Sequence, residues 1–259
     1  MRLLLTNDDG IDAPGIQTLA SVLRKEHEVW IVAPLSNKSG ASSSINMWQN
    51  LYLEKRGDNE FALEGTPVDC MLSALNGDYL PSRPDAVISG INKGPNLGTD
   101  IVYSGTCGAA RQAALSGVPG IALSVEQNPF EKSEIEYNYA SLAEFTLKNL
   151  KNLLVLCGKI RNIDEGMNYE YFVNVNAPSI DSYKGEKFTK PCRRFYGDRT
   201  KVFQGTDGRT YSNCLSGNEV RCYGDEFSDA KAVAEGYVSI SVLYAEPAVN
   251  AEFCRKTFC

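Results

Sequence analysis

Three short stretches of this chain, residues 2–6, 29–33 and 85–89, are apolar without a polar residue at every second position. A strand with one wet face alternates apolar and polar side chains, so unbroken runs of this length suit strands covered on both faces. That condition is met by a parallel sheet lying between two layers of helix.

The intervening segments agree. Ile16, Leu19, Ala20 and Leu23 fall on one helical face, with Asp12 placed to cap that helix and Pro14 in its first turn. Thr66-Pro67 opens a second helix running through Ala74, residues 106–115 are Ala-rich and helical, and residues 142–154 form an amphipathic helix. Residues 51–54 and 60–63 read as short strands about a polar turn, and residues 120–125 and 171–176 as further strands. Strands alternating with helices predict an α/β fold of three layers around a mostly parallel sheet over residues 1–180. From about 180 to 225 the pattern dissolves into charged and aromatic residues with isolated glycines, then resumes as a helix over 230–235 and a strand over 236–243. Residues 181–259 are therefore expected to be an extension of the same functional domain, with hairpin excursions that serve oligomerisation.

Composition removes several functions. Among 259 residues, 43% are hydrophobic and 22% charged, so a sizeable core is available. The net charge of −6 and a pI near 5.0 argue against a nucleic-acid duplex or a membrane surface as partner. No apolar run approaches the length of a membrane span, and the short run at residues 3–5 stops at carboxylates, so a cytoplasmic protein is expected. Cysteines stand at 70, 107, 157, 192, 214, 222, 254 and 259, none in a CxxC pair, which suits reduced thiols. Cys254 and Cys259 are close enough in sequence to pair on oxidation. The single histidine, His27, lies in Lys25-Glu26-His27-Glu28 and reads as a solvated loop residue. Serine–histidine triads, two-histidine metal centres and phosphohistidine chemistry are thereby removed.

Ligands of open parallel sheets bind beyond the carboxyl ends of the strands. Three polar loops occupy such positions: Asn7-Asp8-Asp9-Gly10, Asn37-Lys38-Ser39-Gly40, and residues 92–100 from Asn92-Lys93-Gly94 to Asp100. Adjacent carboxylates raise each other's pKa, and a divalent cation relieves that cost. Asp8, Asp9, the Ser39 hydroxyl and an asparagine oxygen from the third loop form an oxygen set suited to Mg²⁺ or Mn²⁺. Asp8-Asp9 reads equally well as a turn or helix-cap pair. Ser104-Gly105-Thr106 precedes the third helix, where backbone N–H groups and hydroxyls form an anion site or an ordinary N-cap. Lys38 and Lys93 lie on the metal-site loops and either balance phosphate or are simply solvated. The P-loop, the GxGxxG turn and the GxSxG elbow are absent, and the pair lacks the D-x-D spacing expected of an aspartyl-phosphate enzyme.

In order, LLLTNDDGIDAPG, VAPLSNKSGASSS, EGTPVDC, PDAVISGINKGPNLGTDIVYSGTCGAA and EGYVSIS closely resemble the SurE family of stationary-phase survival nucleotidases. The likeness covers residues 1 to about 125, then Asn174-Val175-Asn176-Ala177-Pro178 and residues 228–243, with little over 180–225. It implies a Rossmann-like α/β/α core, a C-terminal segment exchanged between subunits of a homodimer or homotetramer, and divalent-metal-dependent 5′/3′-nucleotidase activity extending to short polyphosphate. It implies one Mg²⁺ or Mn²⁺ per subunit, in a site that Ca²⁺ also fits, on Asp8, Asp9, Ser39 and Asn96, with Asn92, Ser104, Gly105 and Thr106 lining the phosphate pocket. Leu35, Gln112 and Ile240-Ser241-Val242-Leu243 depart from the family pattern without removing a ligand.

The mechanism these readings support is one-metal hydrolysis of a nucleoside monophosphate, with Asp8, Asp9 and Asn96 as the catalytic residues. Asn92, Asn96 and the 104–106 turn would stabilise charge on the phosphate, and either aspartate would share the proton of the attacking water. The rivals are covalent catalysis by Asp8 and a nucleotide sensor without turnover.

Overall fold

The computed structural model describes residues 1–127, 137–158, 160–163, 166–215 and 220–248. The chain runs β1 (Arg2–Thr6), α1 (Pro14–Leu23), β2 (Glu28–Pro34), β3 (Leu53–Gly57), β4 (Glu60–Leu63), α2 (Pro67–Asn76) and β5 (Ala86–Lys93). A 3₁₀ turn at Gly98–Val102 precedes α3 (Gly105–Leu115), β6 (Gly120–Glu126), α4 (Tyr139–Val155), β7 (Ile160–Ile163), β8 (Gly166–Tyr169) and β9 (Tyr171–Pro178). The remainder comprises β10 (Glu186–Phe188), β11 (Arg193–Phe195), β12 (Arg199–Gln204), β13 (Thr210–Leu215), β14 (Arg221–Tyr223), α5 (Asp229–Ala234) and β15 (Val238–Tyr244).

The central sheet has nine strands in the order β10-β15-β9-β6-β5-β1-β2-β4-β3. It is parallel except where β15 joins β9 and β3 joins β4. Leu3 and Leu5 of β1 pack with Ile16 and Leu19 of α1 and Leu142 and Leu150 of α4. Leu4 turns to the other face, among Cys70 and Met71 of α2 and Ala109 and Ala113 of α3. Both faces of β1 are dry, which is why its sequence does not alternate. The three-layer, mostly parallel α/β architecture read from the sequence is the one observed.

Two local expectations are corrected. The N-cap of α1 is Ala13, which makes no side-chain cap bond. A backbone turn from Ala13 N–H to Gly10 C=O leads the chain into the helix, and Asp12 points outward to Arg56 at 2.8 Å. His27 is half-buried rather than solvated, lining an open cavity with Leu147, Lys148 and Lys151 of α4, and its Nδ1 has no hydrogen-bond partner within the protein.

Beyond residue 180, β10 extends the sheet beside β15, while β11 pairs with β14 and β12 with β13 in separate ribbons. Every residue of β12 is exposed, so no buried face imposes a period there. No helix among the described residues is long and apolar enough to cross a membrane. All six described cysteines are free; Cys254 and Cys259 lie outside the described residues.

Candidate active site

The loops after β1, β2 and β5 meet at the carboxyl edge of the sheet. Asn7 shapes the first, donating Nδ2 to Gly10 C=O at 2.8 Å and accepting Gly10 N–H at 3.2 Å. Gly10 has φ +107°, a conformation that L side chains rarely adopt. Lys38 N–H donates to Asp8 C=O at 2.6 Å, fastening the second loop to the first. Lys93 N–H donates to Asp9 Oδ2 at 3.0 Å and brings in the third.

The Asp8 carboxylate is buried against the first turn of α3. Thr106 donates its hydroxyl to Asp8 Oδ1 at 2.6 Å and its N–H to Oδ2 at 3.2 Å. Gly105 makes this approach possible, since a Cβ there would lie 2.9 Å from Asp8 Cβ and 3.0 Å from Oδ2. Burial pushes the Asp8 carboxyl above the usual carboxylate range, and the Thr106 bonds offset only part of that shift. Asp9, half-buried, is raised by burial and further by the charge of Asp8, against the Lys93 N–H. Both shifts express negative charge held in a poorly solvated place, the condition a cation relieves.

Asn96 is buried and held from beneath. Its N–H donates to Asn176 Oδ1 at 2.8 Å, and its carbonyl accepts Asn174 Nδ2 at 2.9 Å and Asn176 Nδ2 at 3.1 Å. Its side-chain Nδ2 donates to Ser124 Oγ at 2.8 Å, leaving Oδ1 as the amide's ligand atom. Cys107 donates Sγ–H to Asn174 Oδ1 at 3.5 Å; burial raises that thiol to about 12, so it keeps its proton.

The residues expected from the sequence therefore fall at one edge of the sheet, with different local duties. Ser39 is exposed, its loop folded by Asn37 Oδ1 accepting Ser39 N–H at 2.9 Å. Asn92 donates Nδ2 to Gly94 C=O at 2.9 Å and keeps a second amide hydrogen. Ser104 caps α3 by accepting Cys107 N–H at 3.0 Å, and so retains its own O–H to donate. Thr106, expected beside phosphate, has both its hydroxyl and its N–H on Asp8. Lys93 lays its ammonium over the Tyr137 ring, 5.7 Å from the centroid. Sequence reasoning gave no role to Ser124, Asn174 or Asn176. The available signal was two asparagines at i and i+2 on one face of an otherwise apolar strand.

The donor chemistry fits a hard cation. Asp8 and Asp9 offer carboxylates, Ser39 a hydroxyl and Asn96 an amide oxygen, with no imidazole or thiolate among them. No cluster of three or more His, Cys, Asp or Glu suited to a metal occurs among the described residues, so neutral oxygens would have to complete the shell.

A three-layer α/β protein with a carboxylate pair and a helix N-terminus at the carboxyl edge of its parallel sheet belongs to the class that binds its ligands at that edge. The sequence pattern described as Survival protein SurE matches residues 3–198. The 5′-nucleotidase SurE of Thermosipho melanesiensis is 37% identical over 249 residues, covering 93% of this chain and 90% of that protein. A protein of the same name from Desulfitobacterium hafniense is 38% identical over 253 residues, covering 95% and 92%. The crystal structure of the SurE protein from Aquifex aeolicus superposes with a TM-score of 0.79 at 30% identity, covering 99% of this chain and 98% of that one. This chain belongs to the SurE family.

Proposed function

We propose that this chain is a divalent-metal-dependent phosphomonoesterase that hydrolyses nucleoside 5′- and 3′-monophosphates, and short polyphosphate, to release phosphate. The observation that carries this reading is the buried Asp8 carboxylate, held by the first turn of α3 beside Asp9 and the Asn96 loop. Relatives covering nine-tenths of the chain bear the name 5′-nucleotidase, which supports the nucleotide as substrate.

Asp8, Asp9, Ser39 Oγ and Asn96 Oδ1 would hold one Mg²⁺ or Mn²⁺, with Ca²⁺ able to occupy the same oxygens. Bound there, such an ion supplies Lewis-acid polarisation of a phosphate oxygen and lowers the pKa of water. Asn92, through its spare Nδ2 hydrogen, and Ser104, through its O–H, donate to the phosphate oxygens as charge develops on them. Both oxygens of Asp8 already accept bonds from Thr106, whereas Asp9 Oδ1 is uncommitted to a backbone donor. Asp9 is accordingly the aspartate that takes the proton of the attacking water. The same commitment of Asp8 disfavours it as a covalent nucleophile. The exposed ribbons of the extension suit contacts between subunits, with a homodimer or homotetramer of exchanged C-terminal segments acting in the cytoplasm.

The test is phosphate release from AMP, 3′-AMP and short polyphosphate across Mg²⁺, Mn²⁺ and Ca²⁺, with and without EDTA. Release should require metal, and Asp8→Asn or Asn96→Ala should abolish it in folded protein. AMP binding without release would favour a sensor, and an acid-stable phosphoenzyme would favour covalent catalysis by Asp8.

A further inference from the structure

We propose that Ser124, Asn174 and Asn176 are positioning residues that present Asn96 to the cation. The inference rests on the metal-dependent reading above and adds to it the means by which a ligand on an irregular loop is placed.

Asn96 lies between the end of β5 and the 3₁₀ turn, where no ladder fixes the backbone. Its N–H, its C=O and its side-chain amide are each taken by a side chain from the sheet below. Ser124 and Asn176 are register partners on the adjacent parallel strands β6 and β9, and Asn174 precedes Asn176 by two residues on the same face. Asn176 bonds both the N–H and the C=O of Asn96, so its amide stands in for the neighbouring strand the loop lacks.

These polar side chains are expensive for stability alone. Asn174 and Ser124 are 0% exposed and Asn176 is 1% exposed, in a sheet whose buried positions are mostly apolar or small hydroxyl residues. Burying amides costs free energy that their hydrogen bonds largely return, while apolar residues at such positions stabilise outright. What the network adds is a unique placement of Asn96, since a fully satisfied buried network rigidifies what it holds.

Two consecutive residues of α3 also touch this network. Thr106 donates to Asp8, and Cys107 donates to Asn174, which bonds the Asn96 carbonyl. Both ligand-bearing loops therefore meet one helical turn, Asp8 directly through Thr106 and Asn96 through the weaker Cys107–Asn174 contact.

The decisive measurement is a Mn²⁺ titration followed by the electron paramagnetic resonance of the free ion, on wild type, Ser124→Ala and Asn176→Asp. Thermal melts establish that each protein is folded. Asn176→Asp keeps the shape but sets an oxygen against the Asn96 carbonyl; Ser124→Ala removes one buried oxygen and serves should the first variant fail to fold. Both are expected to bind Mn²⁺ at least about tenfold more weakly than wild type, in line with losses at groups that orient ligands. Excess Mn²⁺ should recover turnover of AMP with little change in its KM. A folded Ser124→Ala with Mn²⁺ affinity and turnover within about twofold of wild type would overturn the positioning role and leave the metal reading intact. Wild type that takes up no Mn²⁺ and hydrolyses AMP in EDTA would overturn both.

Discussion

Replacing Thr106 with valine isolates the contact on which the site most depends. The side chains are nearly isosteric and the position is wholly buried, so the change removes one hydroxyl donor 2.6 Å from Asp8 Oδ1 and little else. The Thr106 N–H at 3.2 Å from Oδ2 remains. A hydrogen bond to a charged group contributes about 1.5–3 kcal/mol. At about 1.4 kcal/mol per tenfold, cation affinity should fall roughly tenfold to a hundredfold. Protonation gives the sign of the pH dependence. Burial already raises the Asp8 carboxyl, so the metal-free fold holds that proton to a higher pH than a free aspartate does and releases it as pH rises through the folded value. A cation needs the ionised form, and its affinity falls as pH drops through that same value. Valine raises the carboxyl further, so the fall should begin at a higher pH than in wild type. Isothermal titration with Mn²⁺ across pH 5 to 8 measures both effects, and Thr106→Ser, which keeps the hydroxyl, should restore most of the affinity. A valine variant that binds Mn²⁺ within about twofold of wild type, with an unshifted pH profile, would refute the assignment of Asp8 as a ligand held by Thr106.

Gly105→Ala should reduce stability by about 1–3 kcal/mol through overpacking and weaken Mn²⁺ binding, because its Cβ would sit 2.9 Å from that of Asp8; chemical denaturation and the same titration report the two. Asp69→Ala should cost about 2 kcal/mol, since Asp69 closes the capping box of α2 and accepts two bonds from Asn46. Limited proteolysis should then cut near Met47 and Trp48 more readily than in wild type. Asp100→Asn breaks the largely buried pair with Arg194 at 2.8 Å and should destabilise by up to about 3 kcal/mol, read as a lower denaturation midpoint. By contrast Glu144→Ala, which removes a pair with Lys25 that is more than half exposed on both sides, should change the midpoint by less than about 1 kcal/mol in free energy.

What was legible in the sequence follows from what periodicity records. The unalternating runs at β1, β2 and β5 announce burial on both faces, and the placement of α1 to α4 between strands leaves few topologies. The meeting of the three polar loops was legible because strand ends in a parallel sheet collect at one edge. Less legible was anything set by a contact between distant residues. Thr106 reads as a cap or an anion contact in any one-dimensional view; only the approach of α3 to β1, 98 residues away in sequence, shows that both its donors serve Asp8. Asp12 failed as a cap because the helix begins one residue later than read, with Ala13 in the cap position and the Asp12 carboxylate turned outward to Arg56. In residues 181–225 the β12 strand has no core beneath it, and β11 is fixed by the contacts of Arg194 with Thr99 and Asp100 rather than by a periodic apolar face.

The charge balance of the site points the same way as its geometry. The chain is acidic overall, and the N-terminus of α3 spends its Thr106 donors on Asp8 rather than leaving them for an anion. A phosphate approaching that edge would meet two carboxylates in a partly desolvated place, with the Lys93 ammonium over the Tyr137 ring and already favouring the charged form of Asp9. Direct binding of phosphate by the protein alone is therefore disfavoured, however complementary Asn92 and Ser104 are to its oxygens. A divalent cation between the carboxylates and the phosphate inverts that balance, and the carboxylates then gain from the burial that otherwise raises them. Anion affinity should thus depend on metal before any bond is broken. Equilibrium binding of AMP in EDTA at an affinity close to that in Ca²⁺ would contradict this account even if turnover proved metal-dependent.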